Sequence, residues 1–83
     1  MKVNIKYFAS IRETLGQSSE TRETQGKSVA ALRDELLALS SVHAQALSRD
    51  QPIRMALDQI MCDESATLHE GCEVAFFPPV TGG

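Results

Sequence analysis

Cysteine occurs only twice in this chain, at Cys62 and Cys72. Two thiols are too few for a disulfide scaffold, and neither C-x-x-C nor a histidine at metal-ligand spacing accompanies them. Both are expected as reduced, small core or turn residues, and no metal site is expected. No apolar stretch approaches the roughly 18 residues of a membrane span, and Met1-Lys2 leads into a strand pattern without a signal-peptide core. No membrane association is expected, and the expected compartment is the cytoplasm. Basic residues do not dominate: eight Lys and Arg face eleven Asp and Glu, a net charge of −3. That balance argues against a nucleic-acid partner, which selects for a basic patch, and fits a partner with a basic docking surface. There is no glycine-rich phosphate loop, so this chain is expected to bind no cofactor and any ATP must be held by another protein. His43 and His69 have no companion nucleophile at a recognisable spacing, and a structural or solvent-facing role is expected for each.

What is present is an 83-residue chain, 42% hydrophobic and 23% charged, which fits one small globular domain with a modest core. No internal repeat, low-complexity tract or linker interrupts it. Lys2 to Phe8 alternates apolar and polar residues, the period of a half-buried strand. Ala9 to Leu15 reads as a short helical turn closed by Gly16. Ser18 to Thr24 reads as an exposed edge strand pairing with the first, and Gly26 marks a turn.

The clearest helix is predicted from Val29 to Leu39, with Ser28 as its cap. Val29, Leu32, Leu36 and Leu39 form its apolar stripe, Leu37 widens it, and Arg33, Asp34 and Glu35 are expected to face outward. Ser40 to Asp50 is ambiguous, with a second helical turn through Ala44, Ala46 and Leu47 as one option. Arg54 to Asp58 and Gln59 to Cys62 read as short strands. Glu70-Gly71 makes a turn before a last strand, Glu73 to Phe77. One helix across one face of a mixed sheet is the economical α+β packing for this order, with first and last strands as central neighbours.

In the first strand Val3, Ile5 and Tyr7 must face the helix, because the other set carries two lysines. Phe8 is then an aromatic on the solvent side. The same reasoning turns Val74 and Phe76 inward and Ala75 and Phe77 outward. If the two strands are adjacent, Phe8 and Phe77 make an exposed apolar patch suited to a partner, with Arg12 and Glu13 close enough in sequence to rim it.

The chain finishes Pro78-Pro79-Val80-Thr81-Gly82-Gly83. Neither proline can extend a sheet ladder, and both favour stiff extended backbone. Residues 1–77 are therefore expected as the folded domain and 78–83 as a flexible tail. That tail reaches about 20 Å when extended. Val80 and Thr81 supply the only side chains beyond the prolines. Gly82 and Gly83, lacking Cβ atoms, can thread a narrow channel. The group so presented is the Gly83 α-carboxylate, ionised at neutral pH and a poor electrophile until one oxygen becomes a leaving group.

With Lys6-Tyr7-Phe8-Ala9, Ile11-Arg12-Glu13, Gly16 and the run from Gly71 through Glu73-Val74-Ala75-Phe76-Phe77-Pro78-Pro79-Val80-Thr81-Gly82-Gly83, the chain resembles the MoaD family, the small sulfur-carrier subunits of molybdopterin synthase. The resemblance spans the chain and is most specific over the last thirteen residues. It implies a ubiquitin-like β-grasp fold. It further implies that Gly83 is adenylated by an E1-like activating enzyme using ATP, and then thiocarboxylated with sulfur from a sulfur-donor enzyme. The loaded tail would enter the large subunit of molybdopterin synthase, in a heterotetramer, and pass sulfur to cyclic pyranopterin monophosphate. Phe8, Phe77, Ala75 and Arg12 would contact that partner. Three alternatives stay open: a sulfur carrier for thiamine synthesis or tRNA thiolation, a protein modifier joined to lysines through Gly83, and a binding module with an inert tail.

Overall fold

The alternation at the start of the chain becomes strand β1 (Lys2–Tyr7), whose inward residues Val3, Ile5 and Tyr7 are fully buried. A computed structural model describes residues 1–79. After β1 come α1 (Ala9–Leu15), β2 (Ser19–Glu23), α2 (Val29–Leu37), α3 (Ser41–Ala46), β3 (Arg54–Leu57), β4 (Ile60–Cys62) and β5 (Glu73–Phe77). The strands form one sheet in the order β2-β1-β5-β3-β4. β1 and β5 are parallel, with Ile5 opposite Val74 and Tyr7 opposite Phe76, while the other pairs are antiparallel. Parallel neighbours cannot be joined by a hairpin. The chain between them therefore crosses one face, and the helices on that crossover bury Val29, Leu32, Leu36, Ala46 and Leu47 against the sheet.

Each helix begins and ends for a local reason. Ser28 Oγ accepts the Ala31 amide at the start of α2, and Ser40 Oγ accepts the His43 amide at the start of α3. Gly16 closes α1 at φ +74°, a conformation that a side chain resists. Gly26 acts differently from the plain turn residue expected of it. A Cβ there would stand 2.7 Å from the Ala31 Cβ, so glycine lets the loop press against α2.

Two expectations for α2 need correction. The helix ends at Leu37 instead of Leu39, and Leu39 is 46% exposed beyond it. Arg33, expected to face outward, is 2% exposed. It lies one turn beyond Val29, so it shares the inward sector. Arg33 anchors the loop after α3: Nε donates to the Leu47 carbonyl and Nη2 to that of Ser48, both at 2.9 Å. Glu64 completes the neutralisation at 3.5 Å. The ambiguous stretch from Ser40 to Asp50 resolves into α3 and this anchored loop.

The strands read as Arg54–Asp58 and Gln59–Cys62 are one hairpin. Asp58 and Gln59 form its turn, at φ +51° and +69°, the double left-handed geometry of a type I′ turn. Asp58 is locked in place by the Glu73 amide at 2.9 Å and by His69 Nε2 at 2.5 Å. These hydrogen bonds hold the Asp58 carboxyl below its usual range, and the same contact holds the His69 imidazole above its own.

Candidate functional site

Strand pairing decides what the uncovered face of the sheet displays, because residues opposite one another share a face. The central row across it runs Ser19, Lys6, Ala75, Ala56, Met61. Beside it, Phe77 of β5 lies opposite Arg54 of β3. Phe8 is not the last residue of β1 but the N-cap of α1, in extended conformation at φ −123°. Its amide donates to the Phe76 carbonyl at 3.2 Å, and its own carbonyl accepts the Ile11 amide at 3.1 Å. The chain therefore turns sharply at Ala9, which adopts φ +50°. Left-handed backbone costs a residue with a Cβ about 1–2 kcal/mol, so the aromatic before it is held in place by a turn under strain.

The outcome is an aromatic stack on the outer surface. The Phe8 and Phe77 rings lie 4.7 Å apart and 10° from parallel, and Phe8 is 38% exposed. Directly beneath, on the buried side, Tyr7 stacks on Phe76 at 6.3 Å. The Tyr7 hydroxyl donates to Glu20 at 2.9 Å. Burial first, and that carboxylate second, push the phenol well above its ordinary range, so it stays a neutral donor. Gln17 also donates to Glu20, and His43 Nε2 lies 3.2 Å from it, which ties α3 to the edge strand.

Arg12 of α1 shares a hollow of about 220 Å³ with Lys6, Tyr7, Phe8, Ser18 and Ser19. Ala75, expected to contact a partner, is on the outward face by register and 4% exposed. Its methyl group lies between Lys6 and Ala56 in the row, with Phe77 two residues along the same face. Met61, at the far end of that row, is 57% exposed and supplies the apolar surface that Ala75 does not. Met61 and Arg54 were not singled out from the sequence, since only cross-strand register places them on the same face as the phenylalanines. Pro78 and Pro79 follow Phe77 directly and are half-buried. Val80, Thr81, Gly82 and Gly83 lie outside the described residues.

The ThiS family model matches residues 5–83, nearly the whole chain and through its last glycine. The chain belongs to the ThiS family. This ThiS-family chain is 37% identical over 81 residues to the molybdopterin synthase sulfur carrier subunit of Escherichia coli K12, covering 98% of the chain and 99% of that relative. Among solved structures it resembles the HVO 2177 protein of Haloferax volcanii, with a TM-score of 0.80 and 29% identity, over 100% of this chain and 87% of the other. It also matches, at a TM-score of 0.72, 20% identity and full coverage of both chains, a structure of the complex of subunits 1 and 2 of the molybdopterin-converting factor from Helicobacter pylori. That last likeness is one of fold. The fold of this ThiS-family chain is the ubiquitin-like β-grasp, α+β, as expected. Among its described residues no helix is long and apolar enough to cross a membrane.

Proposed function

We propose that this chain is a sulfur carrier, with the Gly83 carboxylate as the carrying group and molybdopterin synthase as the enzyme it serves. The observation that carries the proposal is similarity along the full length to relatives named molybdopterin synthase sulfur carrier subunits, within a family match that includes Gly82 and Gly83. The aromatic stack at the root of the proline pair supports it, because a tail that works inside a partner needs a docking surface beside its base.

The chemistry follows from the carboxylate. One Gly83 oxygen attacks the α-phosphorus of ATP on an activating enzyme, pyrophosphate leaves, and an acyl adenylate forms. A sulfide equivalent delivered by a sulfur-donor enzyme adds to the carbonyl carbon and AMP departs. The thiocarboxylate left behind carries its charge mainly on sulfur and is a good nucleophile for the reason thiolates are. Transfer of that sulfur to cyclic pyranopterin monophosphate in the large subunit, with water returning the oxygen, regenerates the carboxylate. Val80 and Thr81 are the side chains a channel would read, and Pro78 and Pro79 direct the tail outward.

Intact-mass measurement after incubation with the activating enzyme, ATP and a sulfide source tests this. The expected product gains one sulfur and loses one oxygen, located on Gly83 by fragmentation. An unchanged mass sinks the proposal, and a ladder of conjugates to lysines would replace it with a protein-modifier role.

A further inference from the structure

The net charge of −3 is unevenly distributed, and the unevenness falls on the docking face. On the helix side and in the loops, carboxylates are matched to cations: Arg22 pairs with Glu35, Arg33 with Glu64, and Arg49 with both Asp34 and Glu64. Asp58 is taken by His69 at the hairpin turn, and Glu20 sits against His43. Around the Phe8–Phe77 stack three cations gather. Lys6 and Arg12 line the hollow beside Phe8, and Arg54 stands opposite Phe77 across the β3–β5 pair. Lys6 lies 3.7 Å from Glu73, near the other end of β5. Among the described residues Arg12 and Arg54 form no ion pair and no side-chain hydrogen bond. Glu13 adjoins Arg12 on α1, and Asp63 and Glu64 line the same hollow as Arg54.

We propose that this face docks against a protein surface in which carboxylates edge an apolar pocket, with Arg12, Arg54 and Lys6 as the cationic rim of an aromatic plug. The inference rests on the carrier reading and specifies its partner: the contacting surface of the large subunit is acidic, the opposite of what the overall charge of the chain indicates. Two guanidiniums that form no ion pair among the described residues have the planar fork that pairs bidentately with carboxylates of another molecule. The stack beside them is apolar and partly exposed. Rim charges of this kind govern encounter rate and partner choice more than the lifetime of the complex.

The test is surface plasmon resonance with the full chain and the cognate large subunit of molybdopterin synthase. For the unaltered chain, raising NaCl from about 50 to about 500 mM is expected to slow association about 10-fold, since screening acts on exposed charges. The Arg12→Gln/Arg54→Gln double variant is expected to associate about 5–10-fold more slowly at low salt, to lose most of the salt dependence and to dissociate at nearly the original rate. Both side chains are exposed, and circular dichroism verifies that the fold is intact. Binding that is insensitive to salt and unchanged in the double variant overturns the acidic-partner inference and leaves the carrier reading standing. Absence of any binding by the unaltered chain removes the carrier reading itself. Salt-sensitive self-association of the chain alone, with no salt effect on binding to the large subunit, assigns the face to a second copy and overturns the inference.

Discussion

Arg33 and Glu35 stand two positions apart on α2 and show how burial treats opposite charges. Arg33 points inward and satisfies its guanidinium on two carbonyls and Glu64. Glu35 is half-buried and gathers four donors: Thr24 Oγ1 at 2.7 Å, the Gly26 and Gln25 amides at 3.0 and 3.2 Å, and Arg22 Nε at 3.2 Å. Burial alone would push its carboxyl upward, but these donors outweigh burial and hold it below the ordinary range. A depressed native value means the ionised form is favoured by folding. Its contribution is therefore complete above the unfolded value of about 4.3 and is lost as pH falls through the native one. Glu35→Gln is expected to lower stability by about 1–3 kcal/mol at pH 7, with the gap from the unaltered protein narrowing below pH 4 in urea titrations. A gap that stays constant with pH would show that the charge on Glu35 is irrelevant. Neither environment is legible in α2 alone, since the partners come from β2, the loop after it and the segment beyond α3.

At the scale of elements, close approach matters as much as propensity. The loop after β2 lies on α2 through Gly26, where the space for a Cβ is already occupied by Ala31. Gly26→Ala must therefore shift loop and helix apart, and it is expected to cost about 1–3 kcal/mol, the range for overpacking. A thermal melt checks this, and an unchanged melting temperature would show that the loop yields freely. Sequence periodicity placed all five strands and the cap at Ser28, because a strand with one covered face must alternate and a helix start needs acceptors for its free N–H groups. It placed a strand break, not a turn, at Asp58-Gln59. An Asp-Gln pair carries little of the Asn-Gly signature of a type I′ turn, and the Glu73 amide that stabilises Asp58 is 15 residues away in the chain.

For the whole molecule, the decisive arrangement is a ring stack at the meeting point of the first strand's end, the last strand's end and the root of the tail. On the carrier reading, Phe8→Ala is expected to weaken binding to the large subunit about 10–30-fold, as truncating a central aromatic anchor does. Loss of the stack with Phe77 should cost the free domain only about 0.5–1.5 kcal/mol. Calorimetric titration alongside a melt separates the two effects. Unchanged affinity would remove the stack from the docking surface, and collapse of the fold would make it a structural element instead.

Much of this protein was determined along the chain. Alternation in Lys2–Tyr7 and Glu73–Phe77 chose the buried set, and the apolar character of both strands made them central neighbours. Their adjacency brought Phe8 and Phe77 together. Those inferences succeed because period-two alternation and burial are local properties of a strand. What only the tertiary structure decided is the company the aromatic pair keeps. Register set Arg54 beside Phe77 and Met61 at the end of the row over Ala75, and the crossover turned Arg33 into a buried anchor. Register between strands far apart in sequence depends on the packing of the whole core, so no short window of residues contains it.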